Sequence, residues 1–157
     1  ALTFIVAKAP SIEDKFYDTF LIPYNNVKVV SNETYSLLKQ ATAALVTSGT
    51  ATLETALFGV PEIVCYKAGS ISYEIAKRLI KLKYISLVNL IMNKEVVKEL
   101  IQDELTSENI TKELNEILFD PVKRERIKFD YYLLKKQLSE GGNASANAAK
   151  SIYESLL

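Results

Sequence analysis

The fold is decided by the stretch Thr47-Ser48-Gly49-Thr50-Ala51-Thr52-Leu53-Glu54. An apolar run at residues 43–46 precedes it, which is too short for a helix but suits a fully buried strand. A helical pattern follows at residues 56–58 and is closed by Gly59 and Pro61. The sequence therefore predicts a strand joined to a helix by a turn of small residues, which leaves backbone N–H groups uncovered at the helix N-terminus.

Such a helix N-terminus favours negative charge by roughly 0.3–1 kcal/mol, so phosphate is its natural ligand. Ser48, Thr50 and Thr52 add hydroxyl donors, and Glu54 offers an acceptor about one turn further on. Donors for a diphosphate beside a carboxylate for ribose hydroxyls indicate a nucleotide site. The stretch matches neither the Walker loop nor the GxGxxG fingerprint. Ordinary helix caps favour the same serines and threonines, so the pattern alone leaves a structural role equally open.

The composition narrows the classes of function. The 157 residues suffice for one domain with a core, and 19 basic against 19 acidic residues argue against a nucleic-acid partner. The chain has no histidine and a single cysteine, Cys65, which excludes zinc sites and Ser-His or Cys-His catalysis within it. No apolar run reaches the ~18 residues that span a bilayer. The start at Ala1, without an initiator methionine, leads us to expect part of a longer protein.

Strand and helix patterns alternate along the chain. We predict strands at residues 4–7, 27–30, 43–46, 62–66 and 85–88. We predict helices after caps at Ser11 and Asn32, at residues 50–58, 71–82 and 94–102, and then three final helices capped by Thr106, Asp120 and Asn143. This alternation predicts one α/β domain over residues 1–157, a Rossmann-like parallel sheet with helices on both faces that ends in several helices.

Ligands of such sheets bind outside the carboxyl ends of the strands. The turn at residues 47–50, the loop at residues 66–70 and the segment at Asn89 each follow a predicted strand. We therefore expect these three segments at one edge of the sheet, with the chemistry there.

The chain resembles the lipid-A-disaccharide synthase family in five motifs that occur in that family's order and spacing. They are Ser48-Gly49-Thr50-Ala51-Thr52-Leu53-Glu54, Gly59-Val60-Pro61, Tyr66-Lys67, Tyr84-Ile85-Ser86-Leu87-Val88-Asn89 and Val97-Lys98-Glu99-Leu100-Ile101-Gln102. Ala76-Lys77 and the late segment at residues 141–146 extend the resemblance over nearly the whole chain. Val88 departs from the pattern, since the family usually has proline there.

The resemblance implies an inverting GT-B glycosyltransferase with two Rossmann-like domains and no bound metal or cofactor. Such an enzyme transfers 2,3-diacylglucosamine from its UDP form to 2,3-diacylglucosamine 1-phosphate, which gives lipid A disaccharide 1-phosphate and UDP. This chain matches the C-terminal part that binds the sugar donor. The general base, the acceptor site and the first strand of this domain would precede Ala1. We therefore expect no catalytic residue here and an inactive chain in isolation.

The resemblance also implies the contacts with the UDP-sugar. Ser48, Gly49 and Thr50 would bind the diphosphate, and Glu54 the ribose. Asn89 would face uracil or phosphate, although a turn asparagine is as common. Glu99 and Gln102 would point into the cleft from one face of the predicted helix at residues 94–102, although solvated helix residues are the commoner case. The weaker candidates are Thr52, Tyr66 and Lys67.

Partners and location follow from the same resemblance. We expect a cytoplasmic protein bound loosely at the inner membrane, with a lipid acceptor held by the absent domain. A basic cluster at residues 77–83 could touch anionic lipid, although a solvated helix face is the commoner reading. An exposed sheet edge makes a homodimer an option. Two alternatives stay open, another UDP-sugar enzyme of GT-B type such as an epimerase, and a non-catalytic nucleotide-binding or assembly module.

Overall fold

The computed structural model describes residues 2–47, 49–69, 83–142 and 144–156. Within these ranges the chain is mixed α/β, and every strand pair is parallel, as the sequence predicts. It forms two compact units, Ala1–Ala41 and Thr42–Leu157. The predicted helix at residues 71–82 and the predicted cap at Asn143 lie outside the described residues.

The described residues of the first unit form two strands and two helices. Its elements are β1 (Phe4–Lys8), α1 (Asp14–Leu21), β2 (Val27–Ser31) and α2 (Thr34–Leu38). The predicted strands are confirmed, but β1 is not buried, since Phe4 and Ile5 are each 40% exposed. The cap predictions are wrong. Helix α1 begins at Asp14 instead of next to Ser11, and α2 begins after Glu33 because Asn32 adopts a left-handed backbone with φ of 59°.

The second unit carries a three-stranded parallel sheet in the order β3-β4-β5. Its elements are β3 (Ala44–Val46), α3 (Thr50–Leu57), β4 (Glu62–Tyr66), α4 (Leu87–Met92), β5 (Lys98–Ile101), a 3-10 turn (Gln102–Glu104), α5 (Ser107–Phe119), α6 (Pro121–Glu140) and α7 (Ala144–Glu154). Val46 lies beside Val64 and Tyr66 beside Ile101. Because the strands are parallel, the three segments that follow them leave the sheet at the same edge.

Two predicted elements in this unit are wrong. Residues 85–88 do not form a strand, because the Ser86 hydroxyl accepts a hydrogen bond from the Asn89 N–H and caps helix α4. Residues 94–102 do not form a helix, because the buried pair Val96 and Val97 leads into strand β5. Glu99 and Gln102 therefore share no helix face. Glu99 lies in the strand, and Gln102 begins the 3-10 turn after it.

The final helices start where the sequence predicts. The Thr106 hydroxyl accepts the Asn109 N–H at 3.2 Å and caps α5. Asp120 accepts the N–H groups of Val122 and Lys123 at 2.8 and 3.2 Å, with Pro121 in the first turn of α6. These helices pack on a core that includes Ile63, Val64, Leu100, Ile117 and Leu134.

That core also holds a buried carboxyl group. It lies at the edge of the sheet where the strands begin. Glu62 is the first residue of β4 and is fully buried. Among the described residues, neither its carboxyl oxygens nor the buried Tyr131 hydroxyl has a hydrogen-bond partner. Burial raises the pKa of Glu62 to about 9, and the Tyr131 hydroxyl, which is near but outside hydrogen-bond geometry, offsets only part of that rise. Glu62 is thus a neutral acid at pH 7.

Candidate functional site

The turn between β3 and α3 forms the first part of the site. Gly49 precedes the helix with φ of 108° and ψ of −158°. L-residues rarely adopt this conformation, although a Cβ at Gly49 would meet no atom within 4 Å, so the need for glycine is one of backbone conformation. The first N–H groups of an α-helix lack helical acceptors. The predicted contact Ser48 lies outside the described residues.

Helix α3 divides the polar side chains of this turn into two sets. The Thr52 hydroxyl is buried and donates to the Gly49 carbonyl at 2.8 Å, so it closes the turn from inside. Thr50 is exposed, and Glu54 is half-buried one helical turn away on the same face. Thr50 and Glu54 are therefore polar side chains of helix α3 that a ligand in solvent can reach.

Asn89 lies inside the protein instead of at its surface. It is fully buried in α4, and its Oδ1 accepts the N–H groups of Val96 and Val97 at 2.8 and 3.0 Å. Its Nδ2 donates to the Val97 carbonyl at 2.8 Å and to the Glu99 carboxylate at 2.9 Å. A side-chain amide has two acceptor positions and two donors. The chain itself uses all four.

Glu99 accepts four hydrogen bonds from the start of α4 and its approach. Oε1 accepts the Ser86 N–H at 2.9 Å, the Ser86 hydroxyl at 2.7 Å and the Asn89 amide at 2.9 Å, and Oε2 accepts the Ile85 N–H at 3.0 Å. A carboxylate at a helix N-terminus also faces the positive end of the helix dipole. Glu99 therefore fixes residues 85–89 against strand β5.

Gln102 performs a similar task for the segment after β4. Its Oε1 accepts the Ala68 N–H at 2.8 Å, and its Nε2 donates to the Ala68 carbonyl at 3.1 Å. Gln102 itself has φ of 52°, in the left-handed region. In the segment that it holds, Tyr66 is half-buried and Lys67 is exposed.

The described candidates thus lie in one unit but in different settings. Gly49, Thr50, Glu54 and Lys67 face solvent wholly or in part, whereas Thr52, Asn89 and Glu99 are buried. The sequence interpretation gave no role to Ser86, which is the junction of the Asn89–Glu99 network. Its position three residues before Asn89, at the start of a helix, was the available signal.

The described residues lack a cluster of metal-ligating side chains and a helix that could cross a membrane. They contain no group of three or more histidine, cysteine, aspartate or glutamate side chains placed to share a metal ion. No helix among them combines the length and hydropathy that crossing a bilayer requires.

The parallel strands, the helices between them and the strand–turn–helix at Gly49 define a Rossmann-like α/β fold. The family model described as lipid-A-disaccharide synthetase matches residues 2–153. The chain belongs to this family.

Relatives from several bacteria agree with that assignment. A lipid-A-disaccharide synthase of Geobacter metallireducens is 35% identical over 156 residues, which cover 99% of this chain and 40% of the relative. Those of Persephonella marina and Syntrophus aciditrophicus are 34% identical over 152 residues and 40% identical over 126 residues. The chain spans 40% of the length of the Geobacter and Persephonella relatives and 33% of the Syntrophus relative.

Proposed function

We propose that this chain is the part of a lipid-A-disaccharide synthase that binds the UDP-sugar. The longer protein would transfer 2,3-diacylglucosamine from UDP to 2,3-diacylglucosamine 1-phosphate, and so form lipid A disaccharide 1-phosphate. The observation that carries the proposal is the turn at Gly49, within a family match over residues 2–153. The acceptor site and the general base would belong to the rest of the protein, so this chain alone would be inactive.

The turn supplies the chemistry that a leaving UDP needs. Negative charge grows on the diphosphate as the glycosidic bond breaks, and preorganised donors aimed at such charge are often the largest catalytic contribution. We assign that task to the first N–H groups of α3 and to the hydroxyls of Ser48 and Thr50. Glu54, one turn along the exposed face, would accept the ribose hydroxyls. Tyr66 and Lys67 would flank the sugar.

Asn89, Glu99 and Gln102 hold a different place in this proposal from the one that the sequence suggested. The sequence predicts that these three residues contact the sugar donor directly. Because their side-chain groups bind the chain's own backbone and each other, we assign the contacts to the turn at Gly49 and place these three behind it.

Isothermal titration with UDP and ADP tests the nucleotide site. We expect preference for UDP, and about tenfold or greater weakening in Glu54→Gln, because a hydrogen bond to a charged group contributes about 1.5–3 kcal/mol. Gly49→Ala should weaken binding as well, since alanine strains at φ of 108°. Gly141→Ala is the matched control, because Gly141 has φ of −68° and space for a Cβ. Preference for ADP would overturn the proposal.

The proposed membrane location and self-association have their own tests. Both substrates carry acyl chains, so we place the longer protein at the cytoplasmic face of the inner membrane. Co-sedimentation with anionic vesicles, absent with zwitterionic vesicles, would support attachment through basic residues. A mass that stays monomeric across concentrations in sedimentation would exclude the homodimer.

A further inference from the structure

Two separate segments of the second unit are held by side chains from strand β5 and the residue that follows it. Gln102 binds the backbone of Ala68 through two hydrogen bonds. Glu99, three residues earlier, binds the backbone N–H groups of Ile85 and Ser86. These contacts join residues 34 and 13–14 positions apart in sequence. Strand β5 and the residue after it therefore set the backbone position of both segments.

One of these segments, at Ala68, lies at the sheet edge of the site proposed above. The other, at residues 85–86, caps helix α4, which contacts helix α3. Ala68 follows β4 by two residues and Gln102 follows β5 directly, so both leave the sheet at the edge that also carries the Gly49 turn. Residues that bind ligands are commonly on such loops, held in place by a rigid scaffold. A loop that is already ordered does not lose conformational freedom when the ligand arrives.

We propose that Glu99 and Gln102, together with Ser86 and Asn89, are positioning residues of the nucleotide-sugar site. They fix the backbone at Ala68 and at residues 85–86 and do not contact the ligand. The hydrogen-bonding capacity of the Asn89 amide supports this role, because its donors and acceptors are already in use. Contact with a nucleotide would require Asn89 to break one of its four internal hydrogen bonds. This inference rests on the proposed function.

Ser86 is the new member of the set. Its hydroxyl donates to Glu99 at 2.7 Å and accepts the Asn89 N–H at 3.3 Å, so one buried side chain links the helix cap to the strand. Removing this hydroxyl should loosen residues 85–86 without removing any group that a nucleotide could reach.

The test combines affinity with local order in the unliganded chain. Gln102→Met keeps the size of the side chain and removes both hydrogen bonds to Ala68. Gln137→Met is the matched control, because the Gln137 amide also donates to a backbone carbonyl, that of Ile91 at 3.5 Å, but from helix α6. Ser86→Ala is the second variant. NMR hydrogen exchange reports Ala68 and Ile85, and calorimetry gives the Kd for UDP.

We expect Gln102→Met to speed exchange at Ala68 and to raise the Kd for UDP on the order of fivefold, with Gln137→Met unchanged in both. Ser86→Ala should speed exchange at Ile85 and raise the Kd to a smaller extent. Gln102→Glu keeps the acceptor for the Ala68 N–H and should restore part of its protection. Faster exchange with an unchanged Kd would make the contacts purely structural and overturn the proposal.

A raised Kd with unchanged exchange would also overturn it, in favour of direct contact with the ligand. Failure of the proposed function looks different, since the unmodified chain would then show no preference for UDP over ADP. In that case the exchange data would describe hydrogen bonds that order these two segments without a nucleotide site beside them.

Discussion

Glu62 and Glu99 lie on neighbouring strands of one sheet and are 0% and 8% exposed, yet their surroundings are opposite. Glu99 accepts four hydrogen bonds from Ile85, Ser86 and Asn89. The oxygens of Glu62 accept none from the described residues. Burial alone therefore does not decide what a carboxyl group does in this protein. The supply of donors decides it.

The two groups also differ in their position along the sheet. Glu62 begins β4 and faces Tyr131 in the core, where burial raises its pKa to about 9. Glu99 is the second of the four residues of β5 and lies beside Val64 in the middle of β4. The protein therefore keeps a neutral acid at the first residue of β4, and a carboxyl group with four hydrogen bonds further along the sheet.

The largest expected effect is a fall of stability with pH that originates at Glu62. Its pKa is 4.5 in the unfolded chain and about 9 in the folded one. Below pH 4.5 both states hold the proton, so this group does not alter the free energy of unfolding. Between the two values only the folded state keeps it, so stability falls by about 1.4 kcal/mol per pH unit, or about 5 kcal/mol from pH 5 to pH 9.

Urea denaturation at several pH values, with Glu62→Gln beside the unmodified chain, measures that fall. The glutamine variant cannot ionise, so its stability should lack this slope and exceed that of the unmodified chain at pH 9. Equal slopes in the two proteins would mean that Glu62 titrates normally in the fold, and the contrast with Glu99 would then be lost.

We expect the second-largest loss of stability in Glu99→Ala. The substitution leaves the donors of Ile85, Ser86 and Asn89 without their acceptor in a buried place. Each such orphaned group costs about 1–3 kcal/mol, and we expect a total loss of about 3–5 kcal/mol in the free energy of unfolding. Chemical denaturation at pH 7 measures it.

Glu113→Ala provides the control for burial, because Glu113 is also 8% exposed. Its partner Lys123 retains an ion pair with Glu116 at 2.6 Å, so fewer groups lose their partners. We expect a loss of about 1–2 kcal/mol. Similar losses in Glu99→Ala and Glu113→Ala would show that burial matters more than the number of donors.

The smallest effect concerns an exposed carboxylate that also accepts hydrogen bonds. Asp120 caps α6 by accepting the N–H groups of Val122 and Lys123. Water replaces these contacts when the side chain is removed, so Asp120→Ala should lower the free energy of unfolding by about 1 kcal/mol. The exposed Glu95, replaced by alanine, is the control. A loss in Asp120→Ala as large as that of Glu99→Ala would contradict the ranking.

The parts of the fold that the sequence predicts depend on signals within a few residues. Thr106 and Asp120-Pro121 cap helices through atoms two or three residues away, and both starts are confirmed. The strand at residues 62–66 and the turn to α3 are likewise marked by short apolar runs and by Gly49. The parallel pairing follows from the alternation of these elements.

The errors at residues 85–102 have a common cause. Helix α4 starts where it does because Ser86 and Ile85 meet Glu99, which is 13 and 14 residues away in sequence. A three-residue spacing between Glu99 and Gln102 suggested a helix face, but strand pairing with β4 determines the structure of Glu99. Contacts at such distances leave no local pattern. For the same reason the sequence suggested ligand contacts where the structure has internal ones.

The side chain of Gln102 works as an extra rung of the β4–β5 ladder. It exchanges one donated and one accepted hydrogen bond with Ala68, as a backbone peptide group would, while its own backbone turns away at φ of 52°. An amide offers a donor and an acceptor side by side, an ionised carboxylate offers acceptors alone, and asparagine is one methylene shorter. Position 102 should therefore accept few residues other than glutamine, although its residue is neither a glycine nor part of the core. A glutamine retained here for the geometry of the sheet would therefore resemble a glutamine retained for contact with a ligand.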